Sequence, residues 1–86
     1  MPPFPDRSEI LDRLKAVVPE KVDVEPGRLR PDARLVDIGI DSFALIELVF
    51  IAEEEFKIHI PVEGLRVTTV DDVLGVIERC GNASKL

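Results

Sequence analysis

The sequence is short of the residues from which metal sites, covalent staples and membrane anchors are built. It has one cysteine, Cys80, and one histidine, His59, in 86 residues. A single thiol excludes an intramolecular disulfide, and one Cys with one His cannot assemble a Cys/His zinc site or a two-histidine site. No apolar run reaches the roughly 18 residues that would span a bilayer, and Met1-Pro2-Pro3-Phe4-Pro5 lacks the charged and apolar regions of a signal peptide. These absences lead to the expectation of a reducing, cytoplasmic compartment and no membrane insertion. Positive charge is also scarce, with 11 Lys and Arg against 17 Asp and Glu and a formal charge of −6. Nucleic acid and anionic lipid are bound mainly through Lys and Arg, so the balance argues against both and favours basic protein surfaces as partners. The length fits one small domain of marginal core size, not a multidomain enzyme.

The acidic surplus is local. Residues 1–40 carry 8 acids and 7 bases, residues 61–86 carry 4 and 3, and residues 41–60 carry 5 acids and only Lys57. That stretch is also the most apolar. Asp41-Ser42 is an N-cap pair, and nine of the ten residues from 43 to 52 are apolar before Glu53-Glu54-Glu55-Phe56. A helix apolar almost all round has more than one face to cover. At 100° per residue, Leu45, Leu48, Val49, Ala52 and Phe56 share the expected core side, and Phe43, Ile46, Glu47, Phe50 and Glu54 lie around the other.

Two further helices flank it. Asp6, with Glu9 three residues on, opens a helix predicted over about 6–18 with Ile10, Leu11, Leu14, Val17 and Val18 inward and Pro19 at its end. Phe4 is placed to pack back on its first turn. Thr69, with Asp72 at the third helical position, opens the last helix, which carries Val70, Val73, Leu74 and Ile77 on one face and is expected to end at Gly81. Between Pro19 and Ile40 no period holds, but Leu29, Leu35, Val36, Ile38 and Ile40 can dip into a core, so the segment reads as an ordered crossover. Residues 57–60 alternate with no second strand to pair with, and residues 62–67 allow at most one irregular helical turn. The fold class is therefore all-α, a small three- to four-helix bundle with a long ordered loop between the first two helices. The boundaries expected are an N-terminal extension over 1–5, the domain over 6–80 and a flexible tail over 81–86.

Ser42 is the residue with chemical interest. It does not fit a nucleophile elbow, since Gly39-Ile40-Asp41-Ser42-Phe43-Ala44 lacks the Gly-x-Ser-x-Gly pattern, and His59 has no evident orienting partner. It can simply cap the helix. It can also present a hydroxyl where unpaired N–H groups and positive potential would seat a phosphodiester. Asp32, Asp37 and Asp41 miss the spacing of an EF-hand, and no protein metal site is expected. Cys80 reads as a plain small side chain near a helix end, and His59 as structural or exposed.

Asp37-Ile38-Gly39-Ile40-Asp41-Ser42-Phe43, followed by Ile46-Glu47-Leu48-Val49, Glu53 to Pro61 and Thr68-Thr69-Val70-Asp71-Asp72-Val73, resembles the acyl carrier protein family around its phosphopantetheine-attachment serine. The resemblance covers nearly the whole chain. It implies that Ser42, beside Asp41, carries a 4′-phosphopantetheine arm derived from coenzyme A, and that acyl groups ride on the arm as thioesters. It implies a carrier and not a catalyst, acting as a monomer in fatty-acid, polyketide or related specialised biosynthesis. It implies a recognition face of Asp41, Glu47, Glu53 and Glu54 with Phe43, Ile46, Phe50 and Ile51, read by basic patches on a phosphopantetheinyl transferase and on acyl-processing or acyl-loading enzymes. It implies an acyl pocket lined by Leu45, Leu48, Val49, Phe56, Ile60 and Leu65. The chain departs from the family in Phe43 where Leu is common, in Ala44 where fatty-acid carriers often have an acid, in the basic Arg28, Arg30 and Arg34 of the crossover, and in a turn after Pro61 about one residue short. These departures point toward a dedicated carrier of a specialised pathway. An aminoacyl or peptidyl carrier and an unmodified helical interaction module are the alternatives; Gly39-Ile40-Asp41 sides with acyl carriers against the first.

Overall fold

The structure, a computed structural model, describes residues 4–83, so residues 1–3 of the extension and 84–86 of the tail lie outside the described residues. Three α-helices are present among them: α1 (Arg7–Val17), α2 (Ser42–Phe56) and α3 (Val70–Ala83). Asp6 caps α1, its carboxylate accepting the Glu9 N–H at 2.9 Å, and Ile10, Leu11 and Leu14 turn inward. α1 ends at Val17, just before Pro19, as the sequence predicts. Pro19 sits in a 3₁₀ turn over Val18–Glu20, at a position where no N–H is needed.

The crossover is ordered because its side chains alternate between core and water. Leu29, Leu35, Ile38 and Ile40 are buried, as are Val22 and Val24. Val36 is not, at 68% exposed, and this corrects the expectation that it joins the core. Leu35–Ile38 form a 3₁₀ turn, whose three-residue period puts Leu35 and Ile38 on one side and sends Val36 outward. Gly39, at φ 86°, then turns the chain through the left-handed region so that Ile40 can be buried.

Main-chain bonds fasten the crossover to the start of α3. The Leu35 N–H donates to Thr68 O at 2.9 Å, and the Val70 and Asp71 N–H groups donate to Ala33 O at 3.0 Å and Pro31 O at 2.9 Å. The last two are among the first N–H groups of α3, which have no acceptor within the helix, so loop carbonyls satisfy them. The pairing amounts to one isolated antiparallel bridge, Arg34 with Thr69, and no strand is formed among the described residues. Thr69 and Asp72 cap α3 reciprocally, with Asp72 N donating to Thr69 Oγ1 at 3.2 Å and Asp72 Oδ2 accepting from Thr69 N at 3.0 Å and Thr68 N at 2.9 Å.

One expectation at the ends changes. α3 runs past Gly81 to Ala83, where the Asn82 side-chain amide donates to Glu78 O at 2.9 Å. Phe4 packs against the ends of α2 and α3, contacts the sequence did not point to. Its ring lies 5.8 Å from that of Phe56 and so close to Gly81 that a Cβ there would collide with it. The bare glycine backbone is what admits the ring, and Phe4 thereby ties the N-terminal segment to the ends of α2 and α3. Arg13 also stacks on Phe56 at this end, 4.7 Å from the ring centroid, while pairing with Glu55 at 2.9 Å. Between α2 and α3, residues 62–65 make a turn with Gly64 at φ 74° and no helical turn forms.

The hydrogen bonds from the Thr68 and Thr69 N–H groups hold the Asp72 carboxyl below its ordinary range. A depressed carboxyl stabilises the fold above the ordinary aspartate range, and that contribution is lost as pH falls through the folded value. Carboxyl-detected NMR is expected to place the Asp72 midpoint below that of ordinary aspartates, and Asp72→Asn should flatten the acid limb of the stability curve. A midpoint at or above the ordinary value contradicts this cap.

Candidate functional site

The pinned crossover delivers the chain to α2 at a defined point. Asp41 is the N-cap, in extended conformation, and its Oδ1 accepts the Ala44 N–H at 2.8 Å while its carbonyl accepts the Leu45 N–H at 2.8 Å. Ser42 is therefore the first helical residue and not the cap. It is exposed, and its hydroxyl makes no hydrogen bond among the described residues. The Ser42 and Phe43 N–H groups have no acceptor within the helix, and the helix dipole adds positive potential there. The result is an uncommitted hydroxyl at the positive end of a rigid 15-residue helix.

From that head an apolar and acidic stripe runs along the outer face. Phe43 is 72% exposed, Phe50 60% and Ile46 45%, with exposed Glu54 and half-buried Glu47 between them. Spacings of three and four residues put all five on one side. Two residues assigned to this face by sequence are not part of its exposed stripe. Ile51 is buried at the edge of the face, 80° from Phe43 and toward the first crossover turn. Glu53 points to the far end of α2, where its carboxylate accepts the Ile60 N–H at 2.7 Å and lies 3.3 Å from His59 Nδ1. It holds the chain leaving α2, which Lys57 begins to turn with left-handed φ 57°. Lys21 is a contributor the sequence did not point to. It lines a shallow groove with Glu47, Phe50, Ile51 and Glu54, and only the fold brings it there.

The inner side of α2 meets α3 along an apolar seam. Leu45, Leu48, Val49, Ile60 and Leu65 line it, with Ala52, Val67, Val73, Val76 and Ile77 completing it. The α3 contributors were legible only as a core stripe. Phe56 does not line this seam, since its ring is taken up by Phe4 and Arg13. The cavity is about 10 Å³, no more than one water needs, and every lining side chain is apolar. No group of three or more His, Cys, Asp or Glu among the described residues could hold a metal ion, and no helix among them is long and apolar enough to cross a membrane.

Residues 12–77 match the family described as phosphopantetheine attachment site. The chain is 39% identical over 74 residues to an acyl carrier protein of Thermosynechococcus vestitus, covering 84% of this chain and 91% of that protein. It is 41% identical over 71 residues to an acyl carrier protein of Wolinella succinogenes, covering 80% and 93%. The chain belongs to the acyl carrier protein family. Its prosthetic group is accordingly 4′-phosphopantetheine, and its work is to carry acyl groups and not to transform them. Members of this family are served by phosphopantetheinyl transferases and acyl-processing enzymes. The all-α fold with its long ordered crossover is the one the resemblance implied.

Because Asp41 is the cap and Ser42 is not, the two residues separate by mutation. Asp41→Ala is expected to cost about 1 kcal/mol of stability. Ser42→Ala is expected to stay within about 0.5 kcal/mol of the parent. Urea unfolding of both variants checks the pair; equal losses would mean that Ser42 shares the capping.

Proposed function

We propose that Ser42 is the attachment point of the phosphopantetheine arm. The observation that carries the reading is its exposed hydroxyl at the first position of α2, released from capping by Asp41. In the transfer, Ser42 Oγ bonds to the pantetheine-side phosphorus of coenzyme A, the phosphoanhydride bond breaks, the nucleotide half leaves, and the hydroxyl proton passes to a base of the transferase. The arm supplies a terminal thiol on which acyl groups ride as thioesters. The N–H groups at the head of α2 lie where a phosphodiester anion on Ser42 gains from them.

The exposed stripe of Phe43, Ile46, Glu47, Phe50 and Glu54 is the proposed docking face for basic patches on the transferase and on acyl-processing enzymes. Large apolar side chains among carboxylates supply anchors, and the carboxylates steer the encounter. The seam of Leu45, Leu48, Val49, Ile60 and Leu65 with the α3 residues is the proposed shelter for the acyl chain. At about 10 Å³ it is closed, so cargo enters only as the α2 and α3 side chains separate. An all-apolar lining suits an aliphatic acyl group better than a charged aminoacyl one. The departures at Phe43, Ala44 and the crossover arginines support a specialised acyl pathway over general fatty-acid synthesis. A cytoplasmic, monomeric protein is the setting this reading assigns.

Incubation with coenzyme A and a phosphopantetheinyl transferase is expected to add one arm to the parent protein and none to Ser42→Ala, read by intact-protein mass. No gain with several transferases, or a gain that persists in Ser42→Ala, would overturn the assignment. Glu47→Lys with Glu54→Lys is expected to slow loading by on the order of tenfold at low salt, and the parent's rate should fall as ionic strength rises. A loading rate indifferent to both changes would remove the acidic stripe from docking.

A further inference from the structure

The crossover carries a surface of the opposite sign. Arg28, Arg30, Ala33, Asp37, Ile38 and Gly27 line a groove of about 410 Å³ between the turn at Pro26–Arg28 and the turn at Leu35–Ile38. It is shallow and open to solvent, so a segment would lie across it. The lips are held by successive backbone turns. The Arg28 N–H donates to Glu25 O at 2.9 Å, and Leu29, at φ −80° and ψ 70°, is the centre of an inverse γ-turn closed by Arg30 N–H to Arg28 O at 2.9 Å. The Ala33 N–H to Arg30 O bond, 2.9 Å, closes the next turn. Leu29 is buried between the two arginines, so its anchorage presents both without a search through loop conformers.

Their charge is not spent within the chain. Arg28 and Arg34 make no ion pair among the described residues. Arg30 meets Asp32 only at 3.8 Å, with both side chains mostly exposed, a contact of little energetic weight. In a protein of formal charge −6, a groove with two exposed arginines on one lip, one of them without an ion pair among the described residues, runs against the general field. A long polyanion such as nucleic acid would be repelled by Asp37 and by the acidic stripe of α2, whereas a short segment can set one or two carboxylates at the Arg28 and Arg30 lip, across the groove from Asp37.

We propose that this groove is a second docking site, which takes an Asp- or Glu-bearing segment of a partner protein through Arg28 and Arg30. The wall formed by Asp37 and Ile38 belongs to the turn that leads into Ser42, so the segment would sit on the element that sets the head of α2. A partner must then offer acid to the crossover and base to α2, and this two-signed contact fixes which way round the carrier docks. The biological role rests on the carrier reading above; the binding itself does not.

The test is NMR titration of the full-length isotope-labelled protein with a terminally blocked hexaglutamate peptide, with hexalysine and inorganic phosphate as separate arms. Hexaglutamate is expected to shift the amides of Gly27, Arg28, Arg30, Ala33 and Ile38 saturably. The shifts should disappear in Arg28→Glu/Arg30→Glu and in the milder Arg28→Gln/Arg30→Gln, and weaken on the order of tenfold between ~0.05 and ~0.5 M salt. Hexalysine should instead shift residues near Glu47 and Glu54. Shifts scattered over all basic residues, shifts that persist in both variants, or phosphate matching hexaglutamate at equal concentration would overturn the proposal. Both variants should still gain the arm on Ser42, so a failed titration with normal loading refutes the groove and leaves the attachment reading intact.

Discussion

The head of α2 depends on how the crossover is tied down. Leu29, Leu35, Ile38 and Ile40 sink into the core, and Ala33 O and Pro31 O take the first N–H groups of α3. A segment this long loses much backbone entropy on ordering, and scattered apolar contacts alone would leave its carbonyls to water. Using those carbonyls to finish α3 removes two problems at once: the loop gains fixed partners and the helix gains its missing acceptors. Gly39 then bends the chain, Ile40 is buried, Asp41 caps, and Ser42 emerges as the first helical residue with its hydroxyl uncommitted.

The composition of α2 creates a conflict that the fold resolves by dividing the helix. With so few polar residues between 43 and 52, one helix has more apolar surface than a bundle of this size can cover. The inner side closes against α3 in a seam with almost no free volume. The outer side leaves Phe43, Ile46 and Phe50 in water, flanked by Glu47 and Glu54. Exposed phenylalanines have no use in an isolated monomer, and the carboxylates beside them keep the face soluble while favouring basic partners. The far end of the helix is a structural joint, where Glu53 secures the departing chain and Phe56 is held by Phe4 and Arg13.

Charge is sorted on the surface in a way the net figure conceals. The surplus acid lies on α2, while Arg28 and Arg30 form one lip of a groove on the crossover. Lys21, from the first part of the crossover, lies beside Glu47 and Glu54. Sequence counting resolves the first of these features, because the acids fall within one short stretch that forms one helix and its cap. It cannot resolve the last, because Lys21 reaches α2 only through the path of the chain.

Much of this protein follows from local chemistry. The caps at Asp6, Asp41 and Thr69, the three helices and the apolar periods that bury Leu14, Leu48 and Ile77 all rest on interactions within a few residues, which a linear pattern records. Ser42 was legible for the same reason, as a hydroxyl at a helix head inside a recognisable motif. What the tertiary structure decided are matters of rotation and long-range partnership. The turn that exposes Val36 while burying Leu35 and Ile38, the rotation that buries Ile51, the bond that takes Glu53 to Ile60 and the ring of Phe4 that occupies Phe56 and Gly81 each depend on what the rest of the chain brings alongside. The sequence by itself determined that a serine would stand at the head of an acidic, over-apolar helix. Only the packing decided which of that helix's side chains are spent on the core and which remain to be recognised, because the helical period allots faces but the neighbours decide how much of each face is covered.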